Sequence, residues 1–188
     1  MIPSEGDAVA LHRKYGSNER IVEHCATVAR VARILSEEFE RRGRTVDVKA
    51  VVAAAMLHDI GRSRVQTVRH GVEGANIVEN EGADSKVVQI IQRHVGAGIS
   101  PGEAKALGLP DLDYIPRTLE ERIVCFSDKM VEGNRVRPFE GEVQRFTVKK
   151  HDVARLLALR RGLEEELGED PEKLIFEKIK ESESKAAK

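Results

Sequence analysis

The chain has 188 residues, enough for one domain with a sizeable core and too few for two ordinary ones. Its 31 Lys and Arg balance 32 Asp and Glu to a net charge of -1, so no overall field draws it to nucleic acid or an anionic membrane. Apolar residues make up 40% and charged residues 34%, and the longest apolar run, Val51 to Leu57, is far too short to span a bilayer. Cys25 and Cys125 stand far apart with no CxxC, and the acidic N-terminal stretch has no apolar signal core. The expectation is a cytoplasmic protein with both thiols as small core residues.

Helical periodicity runs through nearly the whole sequence, and the predicted class is all-α. A short first helix is expected over about 7–15. Ser17 or Asn18 caps a second, which puts Ile21, Cys25, Val28, Ala32, Leu35 and Phe39 on one face until Gly43. Asp47 caps a third, stopped by Gly61, and a basic connector over 63–69 leads to a helix over about 71–81. Asp84 caps the next, which runs to Gly96. Ser100-Pro101 starts a short helix. Thr118-Leu119-Glu120-Glu121 has capping-box form and opens a helix through Met130. Residues 132–147 are predicted to be a polar loop, followed by amphipathic helices over about 152–167 and 172–181 and a frayed end over 181–188.

The informative feature is polar residues at positions where the pattern asks for apolar ones. His24 follows Ile21 by three and precedes Val28 by four. His58 follows Val51 by seven, and Asp59 follows Val52 by seven and Ala55 by four. His94 follows Val87 by seven and Ile90 by four, and Asp128 lies between Val124 and Val131 at helical spacing. Burying a neutral polar group without a partner costs roughly 2–7 kcal/mol, and a charged one more. One such histidine is ordinarily a satisfied core residue. Several together with two aspartates point to a shared transition-metal cation, which imidazole and carboxylate both accept. His151-Asp152 repeats the dipeptide but follows Lys149-Lys150 and begins a helix, so Asp152 is read as a helix-start residue and His151 as solvated. His12, on the first helix, is also placed outside the site.

His24, His58-Asp59 and Asp128 have the order of the HD superfamily of metal-dependent phosphohydrolases, and His58-Asp59-Ile60-Gly61 spells its HDIG variant. The resemblance covers about residues 18–135, leaving a C-terminal helical extension over about 149–182 within one domain of 1–188. It implies a helical bundle carrying the ligands. His70, opening HGVEGANIV, and His94, in QRHVGAG, resemble the dinuclear branch. That branch includes dinucleoside tetraphosphate hydrolases, cyclic-dinucleotide phosphodiesterases and diiron oxygenases. The chain also resembles archaeal HDIG proteins without an assigned reaction. By this resemblance one metal takes His24, His58, Asp59 and Asp128, and the other takes Asp59 as bridge with His70 and His94. The stretch SDKMVEGNRVRPFEG is similar to the tetraphosphate hydrolases, and the Gly-Tyr-Pro signature of the cyclic-dinucleotide enzymes is missing from the sequence.

The implied chemistry is attack of a metal-bridging hydroxide on a phosphoester or phosphoanhydride, with a nucleotide as the small-molecule partner. Iron or manganese is the first expectation for the two divalent ions, with cobalt, nickel and zinc also compatible. Asp59, Lys129 and Arg135 are the candidate catalytic residues, and Arg62, Arg64, Lys129, Asn134 and Arg135 the candidate phosphate contacts. No general acid stands out, and the sequence is silent on oligomeric state. The alternatives are a diiron oxygenase on the same ligands, or a non-catalytic nucleotide- or metal-binding module whose C-terminal leucine face docks a partner.

Overall fold

The structure is a computed structural model that describes residues 1–186. Among these the chain forms α1 (Glu5–Lys14), α2 (Glu19–Arg41), α3 (Val48–Leu57), a 3-10 turn (Ile60–Ser63), α4 (His70–Asn80), α5 (Ser85–Gln92), α6 (Pro101–Ala106) and α7 (Leu119–Lys129). There follow a two-stranded hairpin, β1 (Val131–Glu132) and β2 (Arg135–Val136), and then α8 (Phe139–Val148), α9 (Val153–Leu167) and α10 (Pro171–Ala186). The protein is all-α apart from that hairpin. No helix among the described residues is long and apolar enough to cross a membrane.

Helix α3 is the axis of the bundle. Its sequence VKAVVAAAML is apolar on all sides, and every residue from Ala50 to Leu57 is buried, as expected for a helix with no solvent face. Helices α2, α5 and α7 pack around it, α1 lies against it, and α4 packs on α5 and on the 3-10 turn. One apolar cluster extends from Ala8 on α1 to Ile175 on α10. The caps follow the sequence: Asn18 accepts from the Ile21 amide, Asp47 from Ala50, and Thr118 and Glu121 close a reciprocal capping box.

Three expectations are corrected. Residues 132–147 are not a loop. Phe139, Val143 and Phe146 recur at helical spacing, and α8 packs them into or against the core. Gly133 supplies φ +61° at the first position of the two-residue turn that closes the β1–β2 hairpin. At the C-terminus the expected fraying from 181 is replaced by helix through Ala186, while 187–188 lie outside the described residues.

The third correction concerns Gly61. It does not stop α3, which ends at Leu57, and it is buried within the 3-10 turn. A Cβ built there would lie 2.0 Å from the His70 carbonyl oxygen and 2.5 Å from the Gly74 amide nitrogen. Gly74 faces the same contact from α4, and Gly71 on the next turn lies against Val95. These glycines let α4 approach the His58-Asp59 turn and the end of α5 far more closely than any side chain would permit.

Gly61→Ala should therefore destabilise the fold by about 3 kcal/mol or more, at the upper end of overpacking costs. Gly74→Ala, whose nearest neighbours would be 3.2 and 3.3 Å away, should cost less. Urea denaturation of both variants checks the order.

Candidate metal centre and cleft

Six predicted side chains from five places in the chain converge. His24 is in the second turn of α2, His58 and Asp59 follow α3, His70 is the first residue of α4, His94 lies just past α5, and Asp128 is near the end of α7. His58 keeps helical dihedrals at φ -56° and ψ -35°, whereas Asp59 swings to φ -99° and ψ 9°. This change of course as the chain leaves α3 aims two sequence neighbours at one region.

Each imidazole is held the same way. Its Nδ1 lies within hydrogen-bond reach of a backbone carbonyl: Gly133 for His24 at 2.8 Å, Ala55 for His58 at 2.7 Å, Thr67 for His70 at 2.7 Å and Ile91 for His94 at 2.6 Å. A carbonyl only accepts, so Nδ1 carries a proton, and each Nε2, which offers a lone pair whenever its ring is neutral, turns inward. The inward atoms are close. His24 Nε2 is 3.1 Å and His58 Nε2 3.5 Å from Asp128 Oδ1, and His58 Nε2 is 3.9 Å from Asp59 Oδ2. On the other side His70 and His94 Nε2 lie 3.1 and 3.6 Å from Asp59 Oδ1 and 3.1 Å from each other.

Acceptors at such distances repel unless a cation or proton stands among them. His58 Nε2 and Asp59 Oδ1 are buried with no hydrogen-bond partner, which in a native interior calls for a specific reason. Donor atoms of His24, His58 and Asp59, and of Asp59, His70 and His94, fall within metal-binding reach of one another. The two groups share Asp59, whose two oxygens face opposite ways. The donor set therefore fits two divalent ions held by imidazole and carboxylate, with carbonyl partners fixing the tautomers as at known metal sites.

The electrostatics agree. Burial would raise the Asp59 carboxyl, but the charge of His58 and the close approach of His70 and His94 hold it well below the usual carboxylate range. Asp128 is likewise held far down, with Lys129 and His24 overriding burial. Burial pushes His94 down to about 4, which leaves its ring neutral and able to coordinate at neutral pH. His58 goes the other way: burial lowers it, but Cys25, Asp59 and Asp128 together keep it well above its ordinary value.

The basic residues divide. Arg62 Nε sits 2.7 Å from Asp59 Oδ2, and the Lys129 ammonium, only 8% exposed, pairs with Asp128 Oδ2. Both line a cleft of about 570 Å³ that opens from the histidines. Arg64, Asn134 and Arg135 do not line it, contrary to expectation. Arg64 turns to Glu73 and the Tyr15 ring, Asn134 bonds Glu23, and Arg135 lines a separate groove with Arg30 and Phe176. Their nearness in sequence to ligand residues misled, because the 3-10 turn and the hairpin carry those side chains outward.

Arg20, Arg145 and Lys149 line the cleft and were missed. Arg20 precedes His24 by four residues on α2, a same-face spacing that could have revealed it. The other two depended on recognising α8. His151, expected to be solvated and remote, is exposed but also lines the cleft. Asp152 caps α9 as expected, accepting from the Arg155 amide. His12 is fully buried, with its ring nitrogens 2.8 Å from Ser17 Oγ and from the Met56 carbonyl, so it is a satisfied core histidine. Both cysteines are buried and free. The Cys125 thiol, pushed up to about 12 by burial, donates to the His94 carbonyl and braces the turn that follows it.

The family model described as HD domain matches residues 21–132. An uncharacterized protein of Methanocaldococcus jannaschii is 43% identical over 129 residues, covering 69% of this chain and 76% of that protein. The tRNA (cytidine(56)-2'-O)-methyltransferase of Thermoplasma volcanium is 35% identical over 176 residues, 93% of this chain but 51% of that protein. The protein of the same description from Picrophilus torridus is 34% identical over 154 residues, 81% of this chain and 44% of its own length. The chain thus spans about half the length of these methyltransferase relatives. Among solved structures, the HD domain of the L. monocytogenes phosphodiesterase PgpH superposes with a TM-score of 0.57 at 17% identity, covering 90% of this chain and 97% of that one. The same domain in complex with cyclic-di-AMP gives a TM-score of 0.51 at 17% identity over 82% of this chain and 93% of that one. At that identity the likeness bears on the fold.

Because burial is outweighed and His58 holds its proton to well above its ordinary value, a metal must displace that proton, and apparent affinity should rise as pH is raised above about 6.5. Binding of the ion that His58 holds should release protons, read by titration calorimetry with Mn²⁺ in buffers of different ionisation enthalpy. Affinity that does not change with pH would contradict the electrostatic account.

Proposed function

Because this chain belongs to the HD-domain family, we propose that it is a metal-dependent phosphohydrolase that cleaves a phosphoester or phosphoanhydride, with a nucleotide as substrate. The observation that carries this reading is the set of four inward Nε2 atoms and two carboxylates at the head of a cleft lined with cations. The site residues proposed are His24, His58, Asp59, His70, His94 and Asp128 for two divalent ions, with Asp59 shared. Iron or manganese is the favoured identity by resemblance to the dinuclear branch, and cobalt, nickel and zinc also suit this donor set.

The metals would supply Lewis acidity and a water of lowered pKa. The remaining work falls to the side chains. Arg62 holds Asp59 in place through Oδ2, and Lys129 neutralises and orients Asp128. Burial lowers the Lys129 ammonium, but Asp128 outweighs burial and keeps it charged. Arg20 and Lys149 offer positive charge for the non-bridging phosphoryl oxygens along the cleft. Arg145 does so while also tying α8 to the hairpin through Glu132 at 3.0 Å. Glu132 and Glu142 also line the cleft and pair with Arg145, so Arg20 and Lys149 are the cations that favour hydrolysis of a phosphate over oxygenation by a diiron pair on the same ligands, since an oxygenase has no general need for them.

A panel of nucleoside mono-, di- and triphosphates, cyclic nucleotides and dinucleoside polyphosphates, with added manganese, iron or cobalt, tests the proposal by phosphate or nucleotide release. Asp59→Asn should lose more than about 100-fold in turnover, beyond the effect of removing a mere supporting partner, while circular dichroism stays helical. Arg64→Ala should stay within about twofold of the parent, as for a surface ion pair. Undiminished turnover in Asp59→Asn would refute the mechanism.

A further inference from the structure

The cleft does not end at the histidines. A second hollow of about 400 Å³ adjoins it, and Val68, Val95, Gly96, Phe146 and His151 line both. Its floor is a small apolar cluster separate from the main core, in which Ile99 and Tyr114 are buried and against which Val68 and Val95 pack. Leu107 stands at its edge 48% exposed, a large apolar side chain without cover. Arg155, the guanidinium at the margin, is already engaged by the Gly98 carbonyl at 2.8 Å and by Glu103 at 2.9 Å. The hollow is thus mostly apolar, with Glu103, Lys150, Asp152 and Arg155 also among its lining residues, whereas the cleft beside it is lined by charged groups of both signs.

The boundary between the two is specially built. At the end of α8 the His151 amide donates to the Phe146 carbonyl at 2.9 Å across Lys150, which sits at φ +55°. This is the helix-ending arrangement that ordinarily takes glycine at the left-handed position. Here a lysine bears the strain, and the turn brings the His151 ring to 5.3 Å from the Phe146 ring. Strained backbone of this kind is found at binding sites more than elsewhere. Phe146 and His151 both lie beyond residues 21–132, the segment that matches the family. The family core therefore supplies the metal-binding groups and part of the shared wall, Val68, Val95 and Gly96, and the segment after residue 132 completes that wall with Phe146 and His151.

We propose that this hollow is the subsite for the base of the substrate, a planar heterocycle held against Phe146 and His151 while its phosphate lies at the metal centre. The inference rests on the functional reading above and adds the part of the substrate which that reading leaves open. A nucleotide has an anionic end joined to a flat, mostly apolar end, and the two hollows are matched in that order and in direct contact. The volume lies within the range of small-ligand pockets. Aromatic and aliphatic walls suit the π-face of a base and offer nothing to the hydroxyls of a bare sugar. Leu107, Phe146 and His151 are the specificity-determining residues this assigns.

Manganese-loaded protein titrated calorimetrically with AMP, GMP, CMP, UMP and ribose 5-phosphate tests it. At least one nucleotide should bind about 10-fold or more tighter than ribose 5-phosphate, the effect of one stacked base. Leu107→Trp, at an exposed position that tolerates bulk, should fill the hollow and abolish that advantage while ribose 5-phosphate binds as before. His151→Ala should remove part of the advantage. If ribose 5-phosphate binds and no nucleotide binds tighter, or if the advantage persists intact in Leu107→Trp, the subsite is wrong and the functional reading stands. If the metal-loaded protein binds none of the five, the functional reading falls and takes the subsite with it.

Discussion

Four hydrogen bonds from imidazole Nδ1 to backbone carbonyls govern the rest of this structure. Each fixes a tautomer and a ring orientation, and together they send four lone pairs toward two aspartates within 3.1 to 3.9 Å. An interior of this kind is unfavourable on its own, because buried acceptors face one another with too few protons to separate them. Cations resolve the conflict, which is why the arrangement is chemistry rather than packing. The carbonyl partners belong to α3, α5, the connector before α4 and the hairpin turn, so the positions of the rings are set by backbone that the fold already holds rigid.

The convergence depends on how closely helices can approach. Gly61, Gly71 and Gly74 remove the side chains that would otherwise separate α4 from the His58-Asp59 turn and from the end of α5. His70 and His94 can then reach Asp59 from one side while His24 and Asp128 close on His58 from the other. A buried ion pair supports this from behind: Arg93, the residue before His94, bonds Glu121 at 2.5 Å, and Glu121 also closes the α7 capping box. Polar contacts behind the site thus hold α5 and α7 in register around α3.

The C-terminal extension has a different role. Helices α9 and α10 pack on α7 and α2, and Glu166 pairs with both Arg44 and Arg122 at 2.5 Å to fasten them. Four leucines of α9 are spent on this packing, Leu156, Leu159, Leu163 and Leu167, all buried, while Leu157 stays 41% exposed. Helix α8 is the part that meets the cleft, and it brings Arg145, Phe146 and Lys149 to the wall facing the metal-binding groups.

The sequence by itself determined the helical class, the caps at Asn18, Asp47 and Thr118, and the six imidazole and carboxylate residues that meet. Most of those are local properties: periodicity, side-chain acceptors at helix starts, and polar residues in apolar register each declare themselves within a few residues, whereas His70 was legible only through the family resemblance. The reason for Gly61, the outward course of Arg64, Asn134 and Arg135, and the inward course of Arg145, Lys149 and His151 were decided only by tertiary structure. A glycine that makes room for a distant carbonyl has the same sequence signature as one that ends a helix. An arginine beside a ligand in sequence can leave the site through a single tight turn. Direction after a turn depends on what packs against it, and here the neighbours lie far away along the chain.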